Sequence, residues 1–414
     1  MMRSLFAAVS GLRNHQTRMD VIGNNIANVN TIGYKASRVT FEESLSQLVQ
    51  SASRPPNGAA GAPGGVNPIH IGLGMRIASI DQVFTQGNLE ATGQTTDLAI
   101  QGPSFFVVND GQQNYFTRAG NFTIDSDGRL TLATNGFVVQ GRTATNGVLN
   151  DVVDDIRLPF GQKSAAQATA NATLGGNLDA SAAIGTTRLT SITVMDEQGG
   201  AHEMSVTFTK TAANTWDFAI TVTNGAVGGG DTGTLTFADD GSLVGPETTA
   251  FSFTPTGFGA AQTVDVAFGT AGQIDGLSQF ASPVTALIRD QDGYPMGDLE
   301  EIGIGQNGVI EGSFTNGETL ILGQVAMADF NNPAGVIRLT DNLYSDSANS
   351  GTPVIGFAQE GSQSFITSGA LEMSNVDLAQ EFTNMITTQR GFQSNARVIT
   401  TSDEMLQELV NLRR

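Results

Sequence analysis

Apolar residues recur every seventh position at the two ends of the chain and every second position between them, a pattern that predicts helix, strands, helix. Near the start, Leu5, Leu12, Met19 and Ile26 form one row, and Ala8, His15, Ile22 and Val29 form a second, three positions on. Together they make an a/d heptad seam about four heptads long. Near the end, Leu371, Leu378, Met385, Phe392, Ile399 and Leu406 repeat the spacing, and Phe382, Ala396 and Val410 widen the stripe. Ser374, with Asp377 three residues on, reads as the N-cap of this second helix, which the pattern carries to about Leu412. Asn24, Asn25, Asn28 and Asn30, and the threonines at 387, 388, 400 and 401, are weak helix formers. Both helices therefore need partners to cover their seams, each other and neighbouring subunits being the natural ones.

Between the ends the period changes to two. Phe122 and Ile124 alternate up to Asp125-Ser126-Asp127-Gly128, and Leu130 and Leu132 alternate away from it, which predicts a hairpin. Ile192 and Val194 lead through Asp196-Glu197-Gln198-Gly199 to Met204, Val206 and Phe208, and a further turn leads to Trp216, Phe218, Ile220 and Val222. These are one-face-buried antiparallel strands. Ser51–Pro68, rich in Pro, Gly and Ala, reads as an extended linker, and Gly269–Ala281 as the return from an inserted block. The expected fold is mixed: terminal α-helices forming a coiled-coil-like inner domain, around nested all-β middle and outer domains of antiparallel sheet. Its expected parts are 1–33 with 371–414 (helices), 34–72 (extended linker region), 73–159 with 277–370 (first β domain) and 160–276 (inserted outer β domain).

Composition narrows the function. A net charge of -20 and 50 glycines among 414 residues describe an acidic, turn-rich chain, and no Lys or Arg occurs from Thr211 to Ile288. Such a surface argues against nucleic acid and anionic lipid. The absence of cysteine excludes disulfides and thiolate chemistry. No apolar run is long enough to cross a bilayer, and Leu5–Val9 is too short for a signal peptide because Arg13 follows at once. His15, His70 and His202 lack metal-ligand spacing, and no Gly-x-Ser-x-Gly elbow is present. Asp125/Asp127 and Asp290/Asp292 precede glycines but lack the downstream Glu of a calcium loop, so they read as turns. No catalytic, cofactor or metal site is expected. The competing class, a secreted acidic β-rich enzyme or calcium-binding adhesin, does not account for heptad helices at both ends.

The end segments resemble a known family. Asn24-Asn25-Ile26-Ala27-Asn28-Val29-Asn30-Thr31-Ile32-Gly33-Tyr34-Lys35 is similar to the N-terminal signature of the flagellar rod and hook proteins. Ser374-Asn375-Val376-Asp377-Leu378, continuing through Phe382, Met385 and Gln389-Arg390-Gly391-Phe392, resembles their C-terminal signature. Asp97–Ile100 and Thr117–Phe122 resemble motifs of the family's first β domain, with Pro103-Ser104 where a glycine usually precedes the paired aromatics. The inserted block, with Asp196–His202, favours a hook subunit. Ser51–Pro68 followed by Gly72-Leu73-Gly74-Met75 keeps a distal rod subunit as the alternative.

The resemblance implies a self-assembling hollow helical tube, outside the cell, that transmits torque as a flexible joint. It implies terminal helices lining an export channel, packed through Leu5, Leu12, Met19, Ile22, Ile26, Leu378, Phe382, Met385, Phe392, Ile399 and Leu406. The implied partners are further copies of the chain, the distal rod, hook-cap, hook-filament junction and hook-length control proteins, and the flagellar type III export apparatus. Export would leave no cleaved signal peptide. Phe41–Leu45 could contribute to an export signal or simply pack.

Overall fold

The computed structural model of the protein describes residues 2–412 apart from 55–64, 146, 160, 162, 258 and 363. The chain divides into two compact units: Met1–Pro159 with Ile302–Glu311 and Ile321–Arg414, and Phe160–Glu301 with Gly312–Leu320.

The first unit carries both helices, α1 (Met2–Ala27) and α2 (Leu378–Asn411). Asp377, not Ser374, caps α2: its Oδ1 accepts from the backbone N–H of Ala379 and Gln380. Ser374 Oγ instead accepts from Val376 N–H before the helix begins, and Leu371 lies in the strand Ala370–Glu372. At ~1.5 Å per residue, the 34 residues of α2 span about 51 Å.

The β body of this unit is built around Phe105–Asn109. That strand pairs antiparallel with Asn114–Thr117 and with Val138–Thr145; Leu343–Ser345 and Ile337–Arg338 continue the sheet. Phe105, Phe116, Phe330 and Tyr344 fill the core edge-to-face, with Phe84 packed against them. The expected hairpin is present, Leu130 opposite Ile124 and Leu132 opposite Phe122, and Asp125 Oδ1 accepts from Asp127 N–H and Arg129 N–H across its turn. Where the family's glycine is replaced, the left-handed backbone falls on Gly102 (φ 130°), and Ser104 is buried with its Oγ 2.6 Å from that of Ser364.

The segment expected to be an extended linker is largely a two-stranded arm. Ser37–Glu43 pairs with Met75–Gln82, and Ser46–Gln50 with Ile69–Gly72. The Pro/Gly-rich middle, whose residues 55–64 lie outside the described chain, is not representative of the whole segment. The flanking β-formers pair, leaving Leu48, Val49, Ile69 and Ile71 exposed.

The core of the second unit is formed by two sheets. One is a meander of Thr187–Met195, Ala201–Ala212, Thr215–Val222, Thr232–Phe237 and Leu243–Gly245. The other is organised on Asn171–Asp179, which pairs parallel to Gln262–Ala267 and Leu277–Phe280 and antiparallel to Leu287–Gln291. Their inner faces share one core containing Phe208, Trp216, Phe218, Phe251, Phe253 and Phe268. The inserted block therefore runs beyond 276, because the two strands after that point complete its second sheet. Gly269–Gly276 is an internal turn rather than the exit. A Cβ on Gly276 would lie 2.4 Å from Gly269 Cα, so the turn closes only because both residues lack side chains.

Candidate functional site: the helix pair and its foot

The two helices pack antiparallel, since Gly11 of α1 faces Asn395 of α2 while Gly391 faces His15. The contact is reciprocal. A Cβ on Gly11 would sit 2.5 Å from Asn395 Nδ2, and one on Gly391 would sit 2.8 Å from His15 Cε1 and Nε2. Each glycine is a notch for a polar side chain of the other helix. On α1, Ala8 and Ile22 are buried and Leu5, Leu12, His15, Met19 and Ile26 half-buried, as the heptad predicts. On α2, four residues of the expected row, Met385, Phe392, Ile399 and Leu406, are half-buried, while Leu371 precedes the helix and Leu378 is exposed.

The companion row on α2 is Glu381, Thr388, Asn395 and Ser402, each half-buried or buried. An apolar pattern cannot reveal such a row, and it assigns Phe382, Val410 and Leu378 to the stripe in its place. Phe382 is 51% exposed, Val410 68% and Leu378 40%. Phe382 lies outside the intramolecular seam, rotated off the row of Met385 and Phe392 by three positions, whereas Leu378 shares that row and stands exposed at the first residue of α2. Phe6 and Ile386 are exposed large apolar residues as well.

At the foot of the helices the signature residues form a buried polar joint. Asn25 Oδ1 accepts from Ser37 N–H (3.0 Å) and from the Tyr34 hydroxyl (3.2 Å), while Asn25 Nδ2 donates to Ser37 O (2.8 Å). Gly33 donates its N–H to Glu372 O in a left-handed conformation (φ 68°), and a Cβ there would meet Ala119 N at 2.6 Å. Lys35 Nζ donates to Glu372 Oε1 at 2.6 Å and to Thr85 O at 2.8 Å. Glu372 Oε1 also accepts from Gly87 N–H, and its Oε2 from Arg118 at 3.4 Å. Asn375 Oδ1 accepts from Ala36 N–H, and its Nδ2 donates to Val83 O and Thr85 Oγ1. Arg338 stacks on Tyr34 with its guanidinium carbon 4.5 Å from the ring centroid.

The electrostatics of this joint follow from burial. Lys35, Glu372 and Arg118 are essentially inaccessible to solvent, so two cations share one carboxylate. Desolvation pushes the Lys35 ammonium below its ordinary range, against the opposing attraction of Glu372. Arg118 is lowered in the same way, and burial raises the nearby Tyr344 phenol to about 12. The carboxylate and the amides of the joint hold backbone or a counter-charge, an arrangement that fixes geometry.

The other signature residues serve the helix ends. Asn28 Nδ2 donates to Asn24 Oδ1 (2.7 Å), and Thr31 Oγ1 donates to Asn28 Oδ1 (3.0 Å), where α1 unwinds. Ala27, Gln389 and Arg390 are exposed, and Val376 is half-buried. Phe41 packs edge-on against His15, with ring centroids 5.7 Å apart. The sequence pattern carries no mark of Glu372 or Asn395, and it gives Arg118, Gly11 and Gly391 no role.

Four family models match the chain: "Flagella basal body rod protein" over 5–35, "Flagellar hook protein FlgE/F/G D1 domain" over 99–175, "Flagellar basal body protein FlaE D2 domain" over 161–294, and "Flagellar basal body rod FlgEFG protein C-terminal" over 367–412. The chain is 40% identical to the flagellar hook protein FlgE of Borreliella burgdorferi, with both chains covered in full. It is 33% identical to that of Escherichia coli over 98% of this chain and 99% of the relative. The flagellar basal-body rod protein FlgG of Bacillus subtilis is 31% identical, again over the full length of both. Among solved structures, Helicobacter pylori flagellar hook protein FlgE2 shares the fold over 69% of this chain and 100% of its own, with a TM-score of 0.51 at 13% identity. Members of this group are structural subunits of the flagellum. Terminal helices that pack together, a β-rich body of antiparallel sheets and full-length identity at this level place the chain in the flagellar hook protein FlgE family.

Proposed function

We propose that the chain is the structural subunit of a bacterial flagellar hook, polymerising into a flexible hollow tube that carries torque and encloses an export channel. The observation that carries this reading is the half-covered helix pair. Each helix buries one face against the other and leaves large apolar side chains in water, Phe6 at 68% and Ile386 at 53% exposure among them. An uncovered apolar surface of this kind marks an association site. Neighbouring copies would cover it, with Leu378, Phe382 and Ile386 as the contact on α2.

The proposed role is structural, a reading supported by the buried polar groups of the joint, which hold backbone and counter-charge. The distal rod, hook-cap, hook-filament junction and hook-length control proteins are the proposed partners. Passage through the flagellar type III export apparatus, without a cleaved signal, is the proposed route to the cell exterior. The packing of Phe41 on His15 favours a structural role for that residue over an export signal.

A distal rod subunit is the second reading, favoured by the full-length likeness to the Bacillus subtilis rod protein. Electron microscopy of polymerised protein separates the two: curved tubes support the hook, straight ones the rod. Absence of any polymer would contradict both.

A further inference from the structure

The turn Asp196-Glu197-Gln198-Gly199-Gly200-Ala201-His202 of the inserted unit is not used by the assembly reading, yet the polar side chains at its two ends are buried. Asp196 Oδ1 accepts from Gln198 N–H at 2.9 Å and from Gly200 N–H at 2.6 Å. Its Oδ2 lies 3.0 Å from His202 Nε2, and His202 Nδ1 lies 3.2 Å from Thr223 O, just past the strand Thr215–Val222. Asp196 and His202 are 5% and 7% exposed. The imidazole ties two turns of the meander together, and its loss would leave a buried carboxylate and a carbonyl without this partner.

Behind this turn lie the first and last segments of the unit. Gly199 is left-handed (φ 80°), and a Cβ there would stand 3.0 Å from Ala166 Cβ and 3.2 Å from Met296 N, so the turn rests on both. The two segments run antiparallel, Lys163 opposite Asp298 and Ser164 opposite Gly297, and Gln167 and Tyr294 exchange backbone hydrogen bonds of 3.0 Å. Thr169, 1% exposed, joins them to the meander. Its N–H donates to Met195 O (3.0 Å), and its Oγ1 accepts from Met195 N–H (2.9 Å) and donates to Gln291 Oε1 (2.7 Å). From the second sheet, Gln262 Nε2 donates to Thr169 O and Met195 O, both at 2.9 Å. A two-stranded ribbon is marginal by itself; drawn apart at its open end, it would lose its hydrogen bonds a pair at a time. Here the ribbon meets a buried polar knot where the sandwich begins. We infer that the Asp196–His202 turn is a clamp on the root of the inserted unit, closing its entering and leaving segments so that root and sandwich open only together. The clamp is a property of the unit; its mechanical meaning, keeping the root from fraying under load, rests on the reading of the chain as a torque-carrying subunit.

The test uses the full, unassembled chain and compares amide exchange of 167–171 and 291–294, the root, with that of 204–208, the centre of the meander. In wild type the root should be as protected as the centre. In His202→Ala it should exchange about tenfold faster while the centre is unchanged. Glu197→Ala, at an exposed side chain of the same turn, should match wild type. A root that exchanges ahead of the centre already in wild type overturns the inference. So does no change in His202→Ala, a rise confined to 196–202, or the same rise in Glu197→Ala. If His202→Ala weakens the whole unit evenly, the wild-type comparison decides: equal protection of root and centre supports the clamp, and a less protected root overturns it. Failure of the assembly reading would appear separately, as absence of tubes from a chain whose root is protected.

Discussion

Lys35 and Glu372 stand 337 positions apart in the chain and 2.6 Å apart in space, and this pair explains why the N-terminal signature ends in a lysine. A buried ion pair is not a generous source of stability, because desolvation consumes most of the attraction. Its value here is geometric: one carboxylate fixes Lys35, Arg118 and the Gly87 N–H at the point where the helices leave the β body. Glu372→Gln would leave two buried cations without a counter-charge and should cost about 3–5 kcal/mol. Urea denaturation of the full chain, with amide exchange at 33–37 and 370–376 to locate the loss, checks this. A cost below about 1 kcal/mol would mean the joint is solvated. The lysine, the tyrosine and the asparagines are visible in sequence as a motif. Glu372 is not, because a single sequence carries no signal linking one acid to a lysine at the far end of the chain.

At the scale of the element, α2 presents two surfaces with different work to do. Met385, Phe392, Ile399 and Leu406 face α1, while Phe382 and Ile386 face away. Phe392→Ala should therefore weaken the hairpin by about 2 kcal/mol, less than a fully buried Phe would cost, and raise amide exchange in both helices of the monomer. Phe382→Ser should leave monomer exchange unchanged and block tube growth. Normal tubes from Phe382→Ser would show that this face points to solvent or to the channel. Heptad spacing is enough to make one row of each helix legible in the sequence. The row Glu381, Thr388, Asn395 and Ser402 stays hidden because polar residues in a seam look like solvent-facing ones. The glycine notches are hidden for a similar reason: what matters at Gly11 and Gly391 is the side chain that enters from the partner helix. The arm is obscured because its paired strands flank a stretch of linker-like composition.

For the whole molecule, the alternating strands foretell the β body and the inserted unit, and the Gly-rich 269–276 turn misplaces the end of the latter. With its two sheets around one core, the continuous part of the second unit, 160–301, should express alone and melt cooperatively; a broad, non-cooperative transition would count against an independent unit. The stretch from Thr211 to Ile288 has no basic residue, while Asp217, Asp231, Asp239, Asp240, Glu247, Asp265 and Asp275 lie in it. Neighbouring copies would repel there over about 8 Å at physiological salt. Tube curvature should accordingly respond to ionic strength, and curvature unchanged between low and high salt would leave the acids a solubilising role only. Half-covered helix pairs should drive this chain into a bending tube. Negative-stain electron microscopy of the purified, polymerised chain tests it most directly: curved hollow tubes are the predicted result, and straight tubes or unassembled monomers would contradict it.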